Sequence, residues 1–288
     1  MAKENEPVRD EMVPSPAGVE LAVRETGDPD GPPIVVMHGL FGTRDQVLMG
    51  STKLEEAGLR VIMYDARGHG RSSAPEDPGA YTYDLLMTDL VAVLDAFEVE
   101  RPLLFGVSMG AHTSLRLALE QPQRVGGILM VTPAYDPDDH PHEDRMRRAI
   151  KLSEGIRRAG IAGFLDGLEP APGWGDRFDT FRQVLGVRMK QHRSLLAVAD
   201  ALPIVMGSRP FGPLSELEAI TAPTIAVGTR DEYDHDHPRE LAERYAAALR
   251  ARFVCEPEGK MPIAWNGGRM ASQGLALAEL AGATAIRP

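Results

Sequence analysis

Short continuous apolar runs recur at residues 33–37, 61–64, 103–105, 125–131 and 224–227, each bounded by glycine, proline or charge. Runs of that length without alternation are what strands buried on both faces of a parallel sheet require. Between them, apolar positions fall three and four apart over residues 46–57, 85–97, 111–119 and 238–249, the spacing of helices with one buried face. The alternation of strand and helix predicts an α/β fold, a mostly parallel doubly wound sheet joined by right-handed crossovers. Residues 19–26 alternate well enough for an antiparallel edge strand, and Gly27-Asp28-Pro29-Asp30-Gly31-Pro32 then reads as a loop.

One stretch breaks the rhythm. Residues 135–217 are helical in pattern, punctuated by glycine and proline, and hold no buried-strand run; the best helical pieces are 145–158, 178–189 and 194–201. The expectation is a helical lid (135–217) inserted into a core made of residues 1–134 and 218–288, the alternative being a surface excursion without a role. Met189, Met206, Trp174, Phe178, Phe181 and Phe211 are candidates either for an apolar pocket under that lid or for the lid's own small core.

Composition narrows the function classes. At 288 residues with 43% apolar content the chain can bury one large core. Its 31 basic and 42 acidic residues sum to −11, with no basic block, which argues against nucleic acid and anionic lipid surfaces as partners. Cys255 is the only cysteine, so no intramolecular disulfide forms, and its expected role is that of a small buried apolar residue. The first residues carry charge, and no run approaches the roughly 18 apolar residues of a membrane helix, so the expectation is a soluble, cytoplasmic protein.

The chemistry concentrates at Gly106-Val107-Ser108-Met109-Gly110, between an apolar run and a helical pattern. A strand ending on one glycine and a helix starting on another force the serine into a strained turn with its hydroxyl over the sheet edge, a nucleophile elbow. His38-Gly39 follows the first apolar run, Asp65-Ala66-Arg67-Gly68-His69-Gly70-Arg71-Ser72 the next, and Gly228-Thr229-Arg230-Asp231 a late one. Groups beyond the carboxyl ends of parallel strands converge on one crevice. These markers, in this order, resemble the α/β-hydrolase superfamily, in particular its lidded single-chain branch of esterases and lactonases, over residues 19–280.

The resemblance implies Ser108 as nucleophile, the backbone N–H groups of Leu40 and Met109 as oxyanion hole, and Asp231 as the acid that orients the base; the nearby Asp234 and Asp236 compete for that role. It also implies that His38, His69, Asp65 and Arg67 hold loops in shape. A serine at the elbow argues against the dehalogenase and epoxide hydrolase members, which carry aspartate there. No cofactor is called for.

The family's base departs from the pattern. It takes a histidine from the last loop, but no histidine follows His237, and Lys260 stands where that histidine belongs. A lysine base must be desolvated and neutral, whereas a nearby Asp231 would hold it as ammonium, so a structural ion pair competes with catalysis. Two acidic loops, residues 136–144 with His140 and His142 and residues 231–237 with His235 and His237, rise from neighbouring strand ends; either can supply a surrogate imidazole, or the two can share a divalent metal. His112, one turn after Ser108, reads as a packed helix residue, and His192 has no partner visible in the sequence.

Two function classes follow. One is a hydrolase of small ester, lactone or related acyl bonds acting through Ser108, with a nonstandard or impaired base and a small, apolar substrate. The other is a hydrolase-fold protein that binds a small ligand or runs a cofactor-free lyase, isomerase or cyclase reaction, which needs positioning more than a complete triad.

Overall fold

The computed structural model describes residues 8–139, 142–170, 177–229, 237–255 and 266–283. Eight strands form one sheet: β1 (Arg9–Ser15), β2 (Val19–Gly27), β3 (Pro33–Met37), β4 (Arg60–Tyr64), β5 (Leu103–Val107), β6 (Gly127–Val131), β7 (Thr224–Gly228) and β8 (Arg252–Cys255). Their order is β1-β2-β4-β3-β5-β6-β7-β8, antiparallel at β1/β2 and β2/β4 and parallel from β4 to β8. The helices are α1 (Asp45–Leu48), α2 (Lys53–Glu56), α3 (Tyr83–Ala96), α4 (Met109–Glu120), α5 (Glu143–Gly167), α6 (Arg177–Met189), α7 (Leu195–Gly207), α8 (Arg239–Ala248) and α9 (Gly267–Leu280).

The period of two divides each of β3 to β7 between two cores. Val35, Ile62, Leu104, Ile128 and Ala226 pack beneath α3, α4 and α8, while Ile34, Val61, Phe105, Leu129 and Val227 pack beneath α1, α2 and α9. A side chain of this size stabilises by ~1.5–3 kcal/mol when removed from water, so a central strand apolar at every position is held from both sides. A third cluster, built from α5, α6 and α7, lies over Leu40, Ala66 and Met109.

Three boundaries differ from the pattern-based reading. Residues 19–26 are not the edge of the sheet: β2 pairs on both sides, and β1, whose sequence RDEMVPS mixes charge with a proline, takes the edge. That composition suits an exposed edge and hides the strand from a search for apolar runs. The helix expected over 46–57 is broken into α1 and α2, because Met49 and Gly50 both adopt left-handed φ values, 49° and 78°. The strand expected from Val125 begins at Gly127, after a short 3-10 turn.

The described residues between β6 and β7 are largely helical, as the pattern predicts. His142 caps α5 by accepting from the Arg145 N–H, and Ser194 caps α7 by accepting from the Ala197 N–H. Non-helical backbone at Ala159 and Gly160 bends α5. Its Gly155 and Gly163 lie so close that a Cβ on either would meet the other's carbonyl oxygen. No helix among the described residues is long and apolar enough to cross a membrane.

Candidate active site

The strand order reverses between β3 and β5, and the crevice beyond their carboxyl ends holds the site. β5 enters α4 through a turn that demands both flanking glycines. A Cβ on Gly106 would lie 2.3 Å from the Gly110 carbonyl oxygen, and one on Gly110 would lie 2.6 Å from Met37 Cβ. Ser108, between them, takes φ 48° and ψ −106°. A non-glycine residue in such a region costs about 1–3 kcal/mol and persists only where its surroundings over-determine it. The Ser108 N–H donates to Val131 O at 2.9 Å, tying the turn to β6.

The Ser108 hydroxyl is 3.0 Å from Nε2 of His237, a half-buried residue just before α8. For Nε2 to accept the serine proton, the ring must carry its own hydrogen on Nδ1. Ser108 and His237 share a cavity of about 460 Å³ with Gly39, Leu40 and Met109. A Cβ on Gly39 would stand 3.5 Å from Ser108 Cβ, so the Gly39–Leu40 peptide packs directly against the serine. Met109 opens α4, where backbone N–H groups have no helical acceptor and the helix dipole favours negative charge.

The loops after β3 and β4 are fixed by a buried polar network. His38 accepts from the Ala66 N–H at Nε2 (2.9 Å), so its Nδ1–H donates to Gly39 O at 2.8 Å and holds the peptide whose N–H belongs to Leu40. Asp65 accepts from the backbone N–H groups of Arg44 and Arg71, at 2.8 and 2.9 Å. Arg67 and Asp89, both fully buried, meet through two hydrogen bonds of 2.7 Å. His69 lies between the carbonyls of Arg67 and Leu40, 2.8 Å from each. Burial is the largest influence on the His38 and His69 rings and holds both below the ordinary imidazole range, with the neighbouring His69 adding to the effect at His38.

His112 is the other imidazole near the elbow, and its partners are spoken for. Its Nε2 accepts from the N–H groups of Ala134 and Tyr135, each at 3.3 Å, and its Nδ1 is 3.1 Å from the Tyr83 hydroxyl. Burial, then the charges of Arg145 and His237, push it down to about 3, so it is a neutral packing residue. His192 accepts from the Gly70 N–H at 3.1 Å and fastens the α6–α7 connection to the loop after β4; burial lowers it to about 3 as well. Of the apolar candidates, Met206 and Phe181 line the cavity, Met189 and Phe211 are buried in the cores, and Phe178 stacks on Phe181 with centroids 6.4 Å apart. Trp174 lies outside the described residues.

Of the expected site residues, the structure brings Ser108, Leu40 and Met109 together at one cavity wall. Asp231 and Lys260 lie outside the described residues, as do His140, Asp234, His235 and Asp236. His237 is one of the histidines expected as a candidate surrogate for the base, with Lys260 at the family's position for it; its signal in the sequence is its place at the end of the loop leaving β7. Arg145 and Tyr83, which also line the cavity, were not singled out. Among the described residues no three His, Cys, Asp or Glu side chains converge as a metal site.

Residues 32–163 match the family model described as the alpha/beta hydrolase fold. The chain is 32% identical over 161 residues to the sn-1-specific diacylglycerol lipase ABHD11 of Mus musculus, covering 48% of this chain and 52% of that protein. It is 36% identical over 133 residues to an epoxide hydrolase of Caballeronia sordidicola, covering 46% and 40%. The chain thus spans about half the length of the curated relatives it matches. Among solved structures, a hydrolase from Pseudomonas aeruginosa superposes with a TM-score of 0.73 at 24% identity, covering 94% of this chain and 97% of that one. The enol-lactonase from Burkholderia xenovorans superposes at 0.74 and 21% identity, covering 94% and 99%.

Proposed function

Because the chain has the α/β-hydrolase fold, we propose that it is a serine hydrolase of small-molecule esters, lactones or related acyl compounds, with Ser108 as nucleophile and His237 as base. The observation that carries this reading is the 3.0 Å contact between the Ser108 hydroxyl and His237 Nε2 at the edge of the cavity. A serine hydroxyl is a weak nucleophile near neutral pH and needs a base within hydrogen-bond reach. Lys260 is then not required as the base. Asp231 is retained from the resemblance as the acid that orients the imidazole.

In the reaction, Ser108 Oγ adds to the acyl carbon while its proton passes to His237 Nε2. The negative charge that grows on the carbonyl oxygen is received by the N–H groups of Leu40 and Met109, the second of them at the start of α4. The imidazolium returns the proton to the departing oxygen, leaving an acyl-serine. Water then adds to the acyl-serine with His237 again taking the proton, releasing the acid and restoring both residues. His38 serves as a positioning residue, since its bond to Gly39 O fixes the peptide that presents the Leu40 N–H. Residues 135–217 act as the lid: α5 and α6 supply cavity-lining side chains and shield the chemistry from bulk water.

The relatives named lipase and epoxide hydrolase mark different chemistries on related chains. A serine at position 108 supports the acyl reaction, because it forms an ester intermediate that water can resolve. A role in ligand binding alone has no need of an imidazole at hydrogen-bond distance from that serine. Turnover of 4-nitrophenyl acetate by the full chain, lost in Ser108→Ala, is the expected result; equal turnover by the Ser108→Ala protein would overturn the reading.

A further inference from the structure

The protein carries a net charge of −11, yet the cavity above Ser108 is lined by three arginines, Arg145 and Arg148 from α5 and Arg188 from α6. The carboxylates that reach the same lining have partners of their own. Asp136 accepts from Arg244 Nη1 at 2.7 Å, Asp139 is 3.3 Å from His142 Nε2, and Glu169 is bridged by Lys151. Arg145 is anchored by a hydrogen bond from Nη1 to Ala134 O, and its charge is felt by Tyr83, His112 and Tyr245. All three arginines have interactions of their own within the protein. A guanidinium nonetheless offers five N–H donors in a fixed fork, enough to bind a ligand as well.

Tyr83 adds a neutral donor on the same wall. Two backbone N–H groups occupy His112 Nε2, so the ring hydrogen sits on Nδ1 and is given to the Tyr83 oxygen. The Tyr83 hydroxyl therefore keeps its own hydrogen for a ligand. Burial raises the Tyr83 pKa, which keeps that group an uncharged O–H donor, and burial lowers that of Arg188, whose side chain is largely withdrawn from water. The remaining lining is largely apolar, including Phe41, Leu152, Phe181 and Leu185. Cations held in a low-dielectric cleft focus positive potential there, whatever the sign of the whole protein.

We propose that the cavity selects acyl substrates bearing a second, anionic group, such as the free carboxylate of a dicarboxylic acid hemiester, which Arg145, Arg188 and Tyr83 receive while the ester lies against Ser108. This rests on the serine-hydrolase reading and names the substrate class it serves. Charge-assisted, forked hydrogen bonds to a carboxylate inside a protein are the strong ones, and removing one partner costs roughly tenfold or more in affinity.

The test compares kcat/KM for 4-nitrophenyl hemiglutarate and 4-nitrophenyl pentanoate, which share leaving group and chain length and differ by a carboxylate in place of a methyl. The wild-type protein is expected to prefer the hemiglutarate at least tenfold, and Arg145→Gln and Arg188→Gln each to lower that ratio roughly tenfold, with the larger part in KM; Tyr83→Phe lowers it less. A second readout needs no turnover: calorimetry of the Ser108→Ala protein with monomethyl glutarate and methyl pentanoate, the first expected to bind more tightly. A ratio at or below one that stays the same in both arginine variants, or equal binding of the two ligands, overturns this inference while Ser108-dependent turnover of the pentanoate leaves the hydrolase reading standing. Turnover that persists in Ser108→Ala overturns the hydrolase reading, and the binding comparison still decides the anion preference.

Discussion

Two acidic, histidine-bearing loops leave neighbouring strands of the sheet, and they do different things. The loop after β6 carries Asp136, Asp138, Asp139 and His142; the loop after β7 ends in His237. In the first, the histidine is consumed locally: His142 Nδ1 accepts from the Arg145 N–H and its Nε2 faces Asp139, so it starts a helix. In the second, the histidine reaches across 129 positions of sequence to the Ser108 hydroxyl. Composition is shared; what separates them is where the next helix begins. α5 begins directly after His142, whereas Pro238 intervenes before α8, so the His237 ring is released from capping and turns to the crevice. Arg244 of α8 clasps Asp136 and Asp138 and ties the loop after β6 to that helix.

The largest effect that sharpens this contrast is on catalysis. His237→Ala is expected to lower kcat for an activated ester by roughly 10²–10⁴, the usual value of a general base, while His142→Ala changes it less than about threefold. Steady-state kinetics of the two variants side by side checks it; equal losses would dissolve the distinction.

Next comes the imidazole beneath the loop after β6. His112→Leu removes the acceptor for the Ala134 and Tyr135 N–H groups and the donor to Tyr83, and a buried unsatisfied donor costs about 1–3 kcal/mol, so a loss of about 2–4 kcal/mol in denaturant unfolding is expected. A loss below ~1 kcal/mol would show that the anchor at the base of the β6 loop is dispensable.

Smaller per pH unit is the titration of the buried rings. His112 and His192, both lowered to about 3, and His38, lowered as well, are neutral when folded but take up protons once unfolded below about 6.5. The unfolded state then binds more protons, so stability is complete above about 6.5 and falls as the pH drops toward the folded values. Each ring contributes a slope of about 1.4 kcal/mol per pH unit inside its window. Urea unfolding between pH 7 and 4.5 measures this slope, and the His112→Leu variant is expected to lose one ring's share. Smallest is the cap: His142→Ala costs about 0.5–1 kcal/mol of stability through the start of α5.

Much of the fold was legible because its cause is local. Strands buried on both faces read as apolar runs at Ile34, Ile62, Leu104, Leu129 and Val227, and the elbow is written in Gly106 and Gly110, whose missing side chains let strand and helix touch. β1 was illegible because an edge strand has no need of apolar runs, and the break at Met49 and Gly50 because helical spacing on either side masks a turn. Ser108, Leu40 and Met109 were legible as members of one motif set. Which histidine lies at the Ser108 hydroxyl was not, because periodicity does not encode which ring crosses the crevice, and chain order marks only Lys260 at the family's position. The arginine-lined wall was equally hidden, since Arg145 and Arg148 look like the solvent face of an amphipathic helix until α6 closes over the cavity.

The central claim is that His237 activates Ser108, and the rate at which a fluorophosphonate labels Ser108 tests it most directly, because labelling needs the activated hydroxyl and nothing from the substrate pocket beyond access. Labelling at neutral pH is expected to be stoichiometric in the wild-type and Lys260→Ala proteins and slower by two orders of magnitude or more in His237→Ala. Undiminished labelling in His237→Ala, or its loss in Lys260→Ala, would contradict the account.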